Sequence, residues 1–118
     1  YGTSLSEQAN ETLVEQLIKV KGKHFLSVEP QLEFIKLKEE WFKNPDHKID
    51  WVIQGGESGH GKRPFDIAWA YAMRDQCKEF GVPYFFKQID KIQEIPNDLL
   101  IREFPFKPFT AKPKRDGE

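Results

Sequence analysis

Residues 51–64 read WVIQGGESGHGKRP and decide the predicted fold, because a short apolar run leads directly into glycines and polar side chains. An apolar run of four or five residues that glycine terminates is typical of a strand buried in a parallel sheet. Ligands of parallel α/β folds bind at the carboxyl ends of the strands. Gly55 and Gly56 would let the backbone turn and approach a ligand closely there. The stretch therefore predicts a buried strand that ends at a ligand site.

Three further apolar runs resemble this one, and helical patterns separate them. Strands that alternate with helices favour right-handed crossovers and hence a parallel sheet. None of the runs shows the clean alternation of a half-exposed strand, so we expect strands buried on both faces. The predicted fold is α/β, with a four-stranded, mostly parallel sheet of βα units. The strands are predicted at residues 1–6, 24–29, 50–54 and 83–88.

Two helices have recognisable start and stop signals. Asn10 is a candidate N-cap for a helix at residues 11–21, and Asp66 for a helix at residues 67–80, which Gly81 ends. The apolar faces expected are Leu13, Leu17 and Val20 in the first helix, and Trp69, Met73, Cys77 and Phe80 in the second. A weaker pattern predicts a short helix at 37–43, and residues 94–104 read as a loop with a short strand.

The composition predicts one globular domain without strong charge. The chain has 118 residues, of which 38% are hydrophobic and 31% charged, and its net charge is -1. This charge does not support binding to a nucleic acid, although a local basic patch leaves that partner open. No run approaches the roughly 20 apolar residues of a membrane span, so no membrane partner is expected. The α/β domain is predicted over residues 1–104, and the proline-containing, charged residues 105–118 as a flexible tail.

The single cysteine limits the chemistry that the chain can perform. Cys77 cannot form an internal disulfide, and it cannot alone hold zinc or an iron–sulfur cluster. Its apolar spacing predicts a buried helical thiol. One free thiol fits a reducing, cytoplasmic setting. The three histidines are widely separated, and no metal site is predicted.

The predicted strands all end in ionisable or hydrogen-bonding residues, which would meet at one edge of a parallel sheet. Lys87 and Arg63 suit anionic groups, whereas Glu29 and Glu57 suit an ammonium or hydroxyl groups. In the alternative interpretation, these charges pair with each other and only anchor loops. No catalytic residue is assigned. The predicted ligand-binding residues are Ser27, Glu29, Gly55, Gly56, Glu57, Ser58, Arg63, Lys87 and Gln88.

Several motifs along the chain together resemble one family. They are FLSVEP at 25–30, IDWVIQGGESG at 49–59, RP at 63–64, RDQC at 74–77, GVP and FFKQ within 81–88, and IPNDLLIREFP at 95–105. In this order they resemble an uncharacterised phage-derived family of radical-SAM-like proteins. The opening YGTSLSEQAN is similar to a strand of that family with a GVSVENQ-like end.

The resemblance implies the C-terminal half of a partial TIM-type barrel. In whole members, the N-terminal half carries three cysteines, so S-adenosylmethionine and an iron–sulfur cluster are implied for the full-length family. This chain has no such cysteines, and we expect no catalysis by it alone. The implied partner is the N-terminal half. The GGE at 55–57 lies on a later strand than the one that holds the methionine amino group in radical-SAM enzymes, so that role is not assigned.

Three functions therefore remain open. The chain supplies a polar ligand-binding edge to a radical-SAM-like barrel, or it is a small independent domain that binds a nucleotide or metabolite. In the third hypothesis it is a structural fragment with an open strand at each side of its sheet, through which it pairs. A clean monomer would weaken this third hypothesis.

Overall fold

Four parallel strands lie side by side in the order in which they occur in the chain. The computed structural model, which describes residues 1–57, 63–90 and 93–105, contains the α/β sheet that the sequence predicts. Every neighbouring pair of strands is parallel. Each strand begins one residue later than predicted. The strands are β1 (Gly2–Ser4), β2 (Phe25–Val28), β3 (Trp51–Gln54) and β4 (Tyr84–Phe86).

The helix before β4 has the bounds that the sequence predicts. Helix α2 covers Ile67–Phe80, and the Asp66 side chain accepts a hydrogen bond from the Ala68 backbone N–H at 2.9 Å. Gly81 ends the helix at φ 68°, a left-handed conformation that glycine adopts without strain. Local capping signals therefore determine both ends of α2.

The helix after β1 is shorter than predicted. Helix α1 covers Glu11–Leu17 rather than residues 11–21, and Asn10 makes no side-chain cap because it lies in a preceding 3-10 turn. The Val20 N–H then donates to the Leu17 carbonyl, a tighter turn that ends the helix. The predicted apolar face was right at Leu17, which packs against the core, but wrong at Leu13 and Val20. Val14 is the buried residue of α1, whereas Leu13 and Val20 are exposed.

The two faces of the sheet differ in burial, which corrects the expectation that both are buried. The helix-covered face packs in one core with Val14 of α1 and Met73 of α2. On the other side, which we call the open face, the side chains are exposed or half-buried. The residues of the helix-covered face are Leu26, Val28, Val52, Gln54, Tyr84 and Phe86. The residues of the open face are Phe25, Ser27, Trp51, Ile53 and Phe85.

The outer edge of β4 is paired with a short antiparallel segment, residues 101–103. Arg102 forms a bridge with Phe85, and the Phe86 N–H donates to the Ile101 carbonyl at 2.9 Å. The short strand predicted within residues 94–104 is therefore present only as an isolated bridge. One of the two open edges in the structural-fragment hypothesis is therefore covered. In the described part of the chain, only the outer edge of β1 has no strand beside it.

The connection from β2 to β3 contains a 3-10 helix, Glu39–Phe42, within the predicted helix at 37–43, and it buries Trp41. Among the described residues, no helix is long and apolar enough to cross a membrane. The predicted tail lies outside the described residues from position 106 onward.

Candidate functional site

Glu29 and Lys87 form an ion pair across the end of β3. They follow β2 and β4, which flank β3 on either side, and Glu29 Oε2 lies 3.0 Å from Lys87 Nζ. These two strands lie roughly 10 Å apart, so the side chains meet only above a small residue on β3. Gly55 occupies that position, since its N–H donates to the Val28 carbonyl while the Lys87 N–H donates to Gln54. Strand alternation places the pair on the open face, two residues beyond Ser27.

The paired glycines allow close contact with the segment after β4. The Gly56 N–H donates to the Gln88 carbonyl at 2.9 Å, and Gln88 Nε2 donates to the Gly56 carbonyl at 2.6 Å. A Cβ atom on Gly56 would lie 2.2 Å from the Ile89 carbonyl oxygen, and one on Gly55 would lie 2.9 Å from Gln88 Nε2. The glycines thus have a packing role in addition to the ligand role predicted for them.

Glu57 and Arg63 form a second pair with three hydrogen bonds. Glu57 Oε1 accepts from the Arg63 N–H and Nε, and Oε2 accepts from Nη2, at 2.7–2.9 Å. These bonds from Arg63, first those from its side chain, lower the pKa of the Glu57 carboxyl to about 2. The Arg63 side chain is 59% exposed. The predicted site residue Ser58 comes between these two residues in the sequence and is outside the described residues.

The structure thus brings the predicted site residues together in small groups. Glu29 pairs with Lys87, Gly56 with Gln88, and Glu57 with Arg63. Ser27 lies on the open face beside Ser4, its neighbour in the parallel register. The charged groups therefore already have protein partners, so a ligand at this edge would have to exchange with them.

Gln54 is a polar residue whose role the sequence reasoning missed. Gln54 is the last residue of β3 and adjoins the polar residues that follow that strand, but its side chain is fully buried on the helix-covered face. Its Oε1 accepts from the Tyr84 hydroxyl at 2.5 Å, and its Nε2 donates to Gln31 Oε1. The position could have been assigned by alternation, because Gln54 is two residues beyond the buried Val52.

Neither a metal nor an iron–sulfur cluster fits the residues described. No group of three or more His, Cys, Asp or Glu side chains within residues 1–57, 63–90 and 93–105 could hold a metal ion. Cys77 is 1% exposed, and burial raises the pKa of its thiol above the ordinary range. A protonated, buried thiol is a poor nucleophile and a poor metal ligand.

The comparisons with known proteins concern nearly the whole chain. A family model described as a protein of unknown function (DUF5131) matches residues 1–107. The match includes all four strands, both helices and every predicted site residue. No curated protein and no solved structure matches the chain.

Proposed function

The chain belongs to the DUF5131 family, and from the resemblance of its motifs we propose that it is the C-terminal portion of a phage-derived radical-SAM-like barrel protein. In this proposal, the carboxyl ends of its parallel strands form a polar edge that binds a small ligand. The chain itself performs no radical step, since its one cysteine is buried and does not fit an iron–sulfur cluster. Its contribution is to bind and orient.

The ion pair between Glu29 and Lys87 is the observation that carries this proposal. It lies at the carboxyl edge on the open face, and the Lys87 side chain is 54% exposed. A partly exposed ion pair contributes about 0–1 kcal/mol, so a ligand with its own charges can replace it at small cost. An anionic group would contact Lys87, and an ammonium or hydroxyl group would contact Glu29.

The outer edge of β1 supports the partner that the proposal requires. A parallel strand added beside β1 would continue the observed strand order, whereas residues 101–103 already pair with β4. An N-terminal half of the barrel would thus extend the sheet from β1. That half would supply the cysteines that the proposed radical chemistry requires.

An amide chemical-shift titration of the 118-residue chain tests ligand binding. We expect millimolar S-adenosylmethionine to shift the amides of Ser27, Glu29, Gly55, Gly56 and Lys87. Glu29→Gln should abolish these shifts because it removes the carboxylate that would contact the ammonium group of the ligand. Glu39→Gln is the matched control, since it alters an exposed glutamate 3.6 Å from Lys43.

Two outcomes would count against the proposal. Shifts with mononucleotides but none with S-adenosylmethionine would favour an independent nucleotide-binding domain. If no amide at the edge responds to millimolar ligand of either kind, the edge of this chain is not a ligand site, and its ion pairs serve only to hold the loops.

A further inference from the structure

We propose that the buried amide pair Gln31–Gln54 positions the ligand-binding edge by holding the loop after β2 against the end of β3. This inference rests on the proposed function, because it concerns the same edge. Gln31 and Gln54 would be positioning residues. They act on Glu29 and Gly55 from the opposite side of the sheet and do not touch the ligand.

The two glutamines belong to a hydrogen-bonded network that is almost completely buried. Gln31 is 2% exposed and Gln54 is 0% exposed. Gln54 Nε2 donates to Gln31 Oε1 and to the Trp69 carbonyl, the latter at 3.1 Å. Gln31 Nε2 donates to the Glu33 carbonyl at 2.8 Å. The network therefore joins the loop after β2 to β3 and α2.

Tyr84 extends the same network to β4. Its hydroxyl donates to Gln54 Oε1 at 2.5 Å and lies 3.4 Å from the Ala70 carbonyl. Both amide protons of Gln54 and its amide oxygen thus have partners. A buried polar network with all its groups paired favours one arrangement, since any displacement leaves a buried group without a hydrogen bond.

The network is connected directly to the residues of the edge. Gln54 immediately precedes Gly55, and Gln31 follows Glu29 by two residues. Pro30 has no N–H to donate to β3, and the Gly55 carbonyl instead accepts from the Gln31 N–H at 3.1 Å. Gln31 therefore binds the end of β3 through both its main chain and its side chain, and this fixes the loop that carries Glu29.

The positions of the side chains explain why this role is indirect. Gln54 lies on the helix-covered face, while alternation places Glu29 and Lys87 on the open face. Losing the amide pair would free the loop after β2 without removing any group that a ligand could contact. We therefore expect the loop after β2 and the end of β3 to become more mobile while the rest of the sheet stays intact.

Amide hydrogen exchange in Gln54→Met and Gln31→Met tests the inference without any ligand. We expect exchange at Gln31, Gly55 and Gly56 to accelerate at least tenfold more than exchange at Leu26 and Val52. A merely structural role would instead lower protection by the same factor throughout the sheet. The Lys87 side-chain ammonium signal should also move to its position in Glu29→Gln, where the ion pair is absent.

Gln76→Met is the matched control. Gln76 also joins α2 to a loop, since its Oε1 accepts from the Leu37 N–H at 2.6 Å and its Nε2 donates to the Ile35 carbonyl at 3.0 Å. This variant should leave exchange at Gly55 and Gly56 unchanged relative to Val52.

Tyr84→Phe provides a milder variant if the glutamine variants do not fold. It removes only the hydroxyl that donates to Gln54, and the same amides should exchange faster than those of Leu26 and Val52. Uniform acceleration, or no change at the edge, would overturn the inference. Because the exchange readout requires no ligand, it remains decisive if the titration with S-adenosylmethionine fails, and a failed titration alone identifies the proposed function as wrong.

Discussion

The two faces of the sheet have similar apolar content but very different burial. Phe86 on the helix-covered face is fully buried, whereas Phe25 on the open face is 39% exposed. On the open face, the rings contact one another instead of a helix. Trp51 lies 6.4 Å from Phe25 and 6.1 Å from Phe85 between ring centroids.

This difference shows that the burial of a side chain in the sheet depends more on the face it occupies than on its residue type. The helix-covered face includes Gln54, a polar residue that is more deeply buried than Phe25. It is tolerated there because all its hydrogen-bonding groups have partners. The fold of the described residues therefore derives its stability mainly from the helix-covered face. On the open face the rings of Trp51 and Phe85 pack against Phe104, each at 5.7 Å between ring centroids, but stay partly exposed.

The largest expected effect is the unequal cost of removing a ring from each face. Phe86→Ala should lower the free energy of unfolding by about 3–5 kcal/mol, because it leaves a cavity in a closed core. Phe25→Ala should cost only about 1 kcal/mol, since much of the ring is already in water. Urea denaturation of both variants measures the two values. Equal losses would indicate that the open face is covered in solution, and sedimentation would then detect the associated species.

The adjacent glycines provide a second comparison. Gly56→Ala should lower the free energy of unfolding by about 1–3 kcal/mol, because the new Cβ would lie 2.2 Å from the Ile89 carbonyl and 3.0 Å from Phe65 Cβ. Gly55→Ala meets the end of the Gln88 side chain, which can move, and should cost less than about 1 kcal/mol. Thermal unfolding measures both. A larger loss at Gly55 would mean that the open face is the more tightly packed of the two.

The helices that cover one face allow a third test. Asp66→Ala removes the cap of α2 and should destabilise the protein by about 1 kcal/mol. Asn10→Ala should change stability by less than about 0.5 kcal/mol, because Asn10 makes no cap hydrogen bond with α1. Urea denaturation of the two variants checks the difference. A comparable loss at Asn10 would contradict its assigned place in the 3-10 turn.

The smallest effect on the free energy of unfolding is expected for the Glu57–Arg63 pair, which follows the carboxyl end of β3. Arg63 lowers the pKa of Glu57 from 4.5 to about 2, so this pair stabilises the fold at a pH above about 4.5. The stabilisation is lost as the pH falls through the window from 4.5 to 2, where the folded carboxylate takes up a proton. Urea denaturation at several pH values should show that the advantage of the natural chain over Glu57→Gln disappears across this window.

The same pH series for Glu39→Gln is the control, since that exposed glutamate lies 3.6 Å from its Lys43 partner. An advantage over Glu57→Gln that persists unchanged to pH 2 would argue against the Glu57–Arg63 pair.

The strands and α2 could be predicted because their signals are local. Asp66 and Gly81 mark both ends of α2 in the sequence, and the glycines after β3 end that strand. Helix α1 was predicted too long because Val20 continues the apolar pattern after the helix has ended. There the Ile18 carbonyl contacts His47 Nδ1, at 2.8 Å, a contact with a residue distant in sequence.

The exposure of the open face and the pairing of the charged residues depend on the register of the strands, which cannot be read directly from the sequence. A four-residue apolar strand looks the same whether one or both of its faces are covered. Likewise, the sequence placed Glu29 and Lys87 at strand ends, but their pairing depends on Gly55 lying between them. Whether Ser27, Glu29, Lys87 and their neighbours bind a ligand stays a prediction.

The segment that pairs with β4 also restricts the symmetry with which copies of this chain can associate through their sheets. Head-to-tail association requires two different free edges and, if it does not close, produces an open filament. Here residues 101–103 occupy one of those edges. Within the described residues, the named strand edge left for pairing between copies is that of β1, and β1 against β1 gives a two-fold arrangement that closes on itself. Residues 101–103 thus hinder head-to-tail growth of a fibre through the β4 edge.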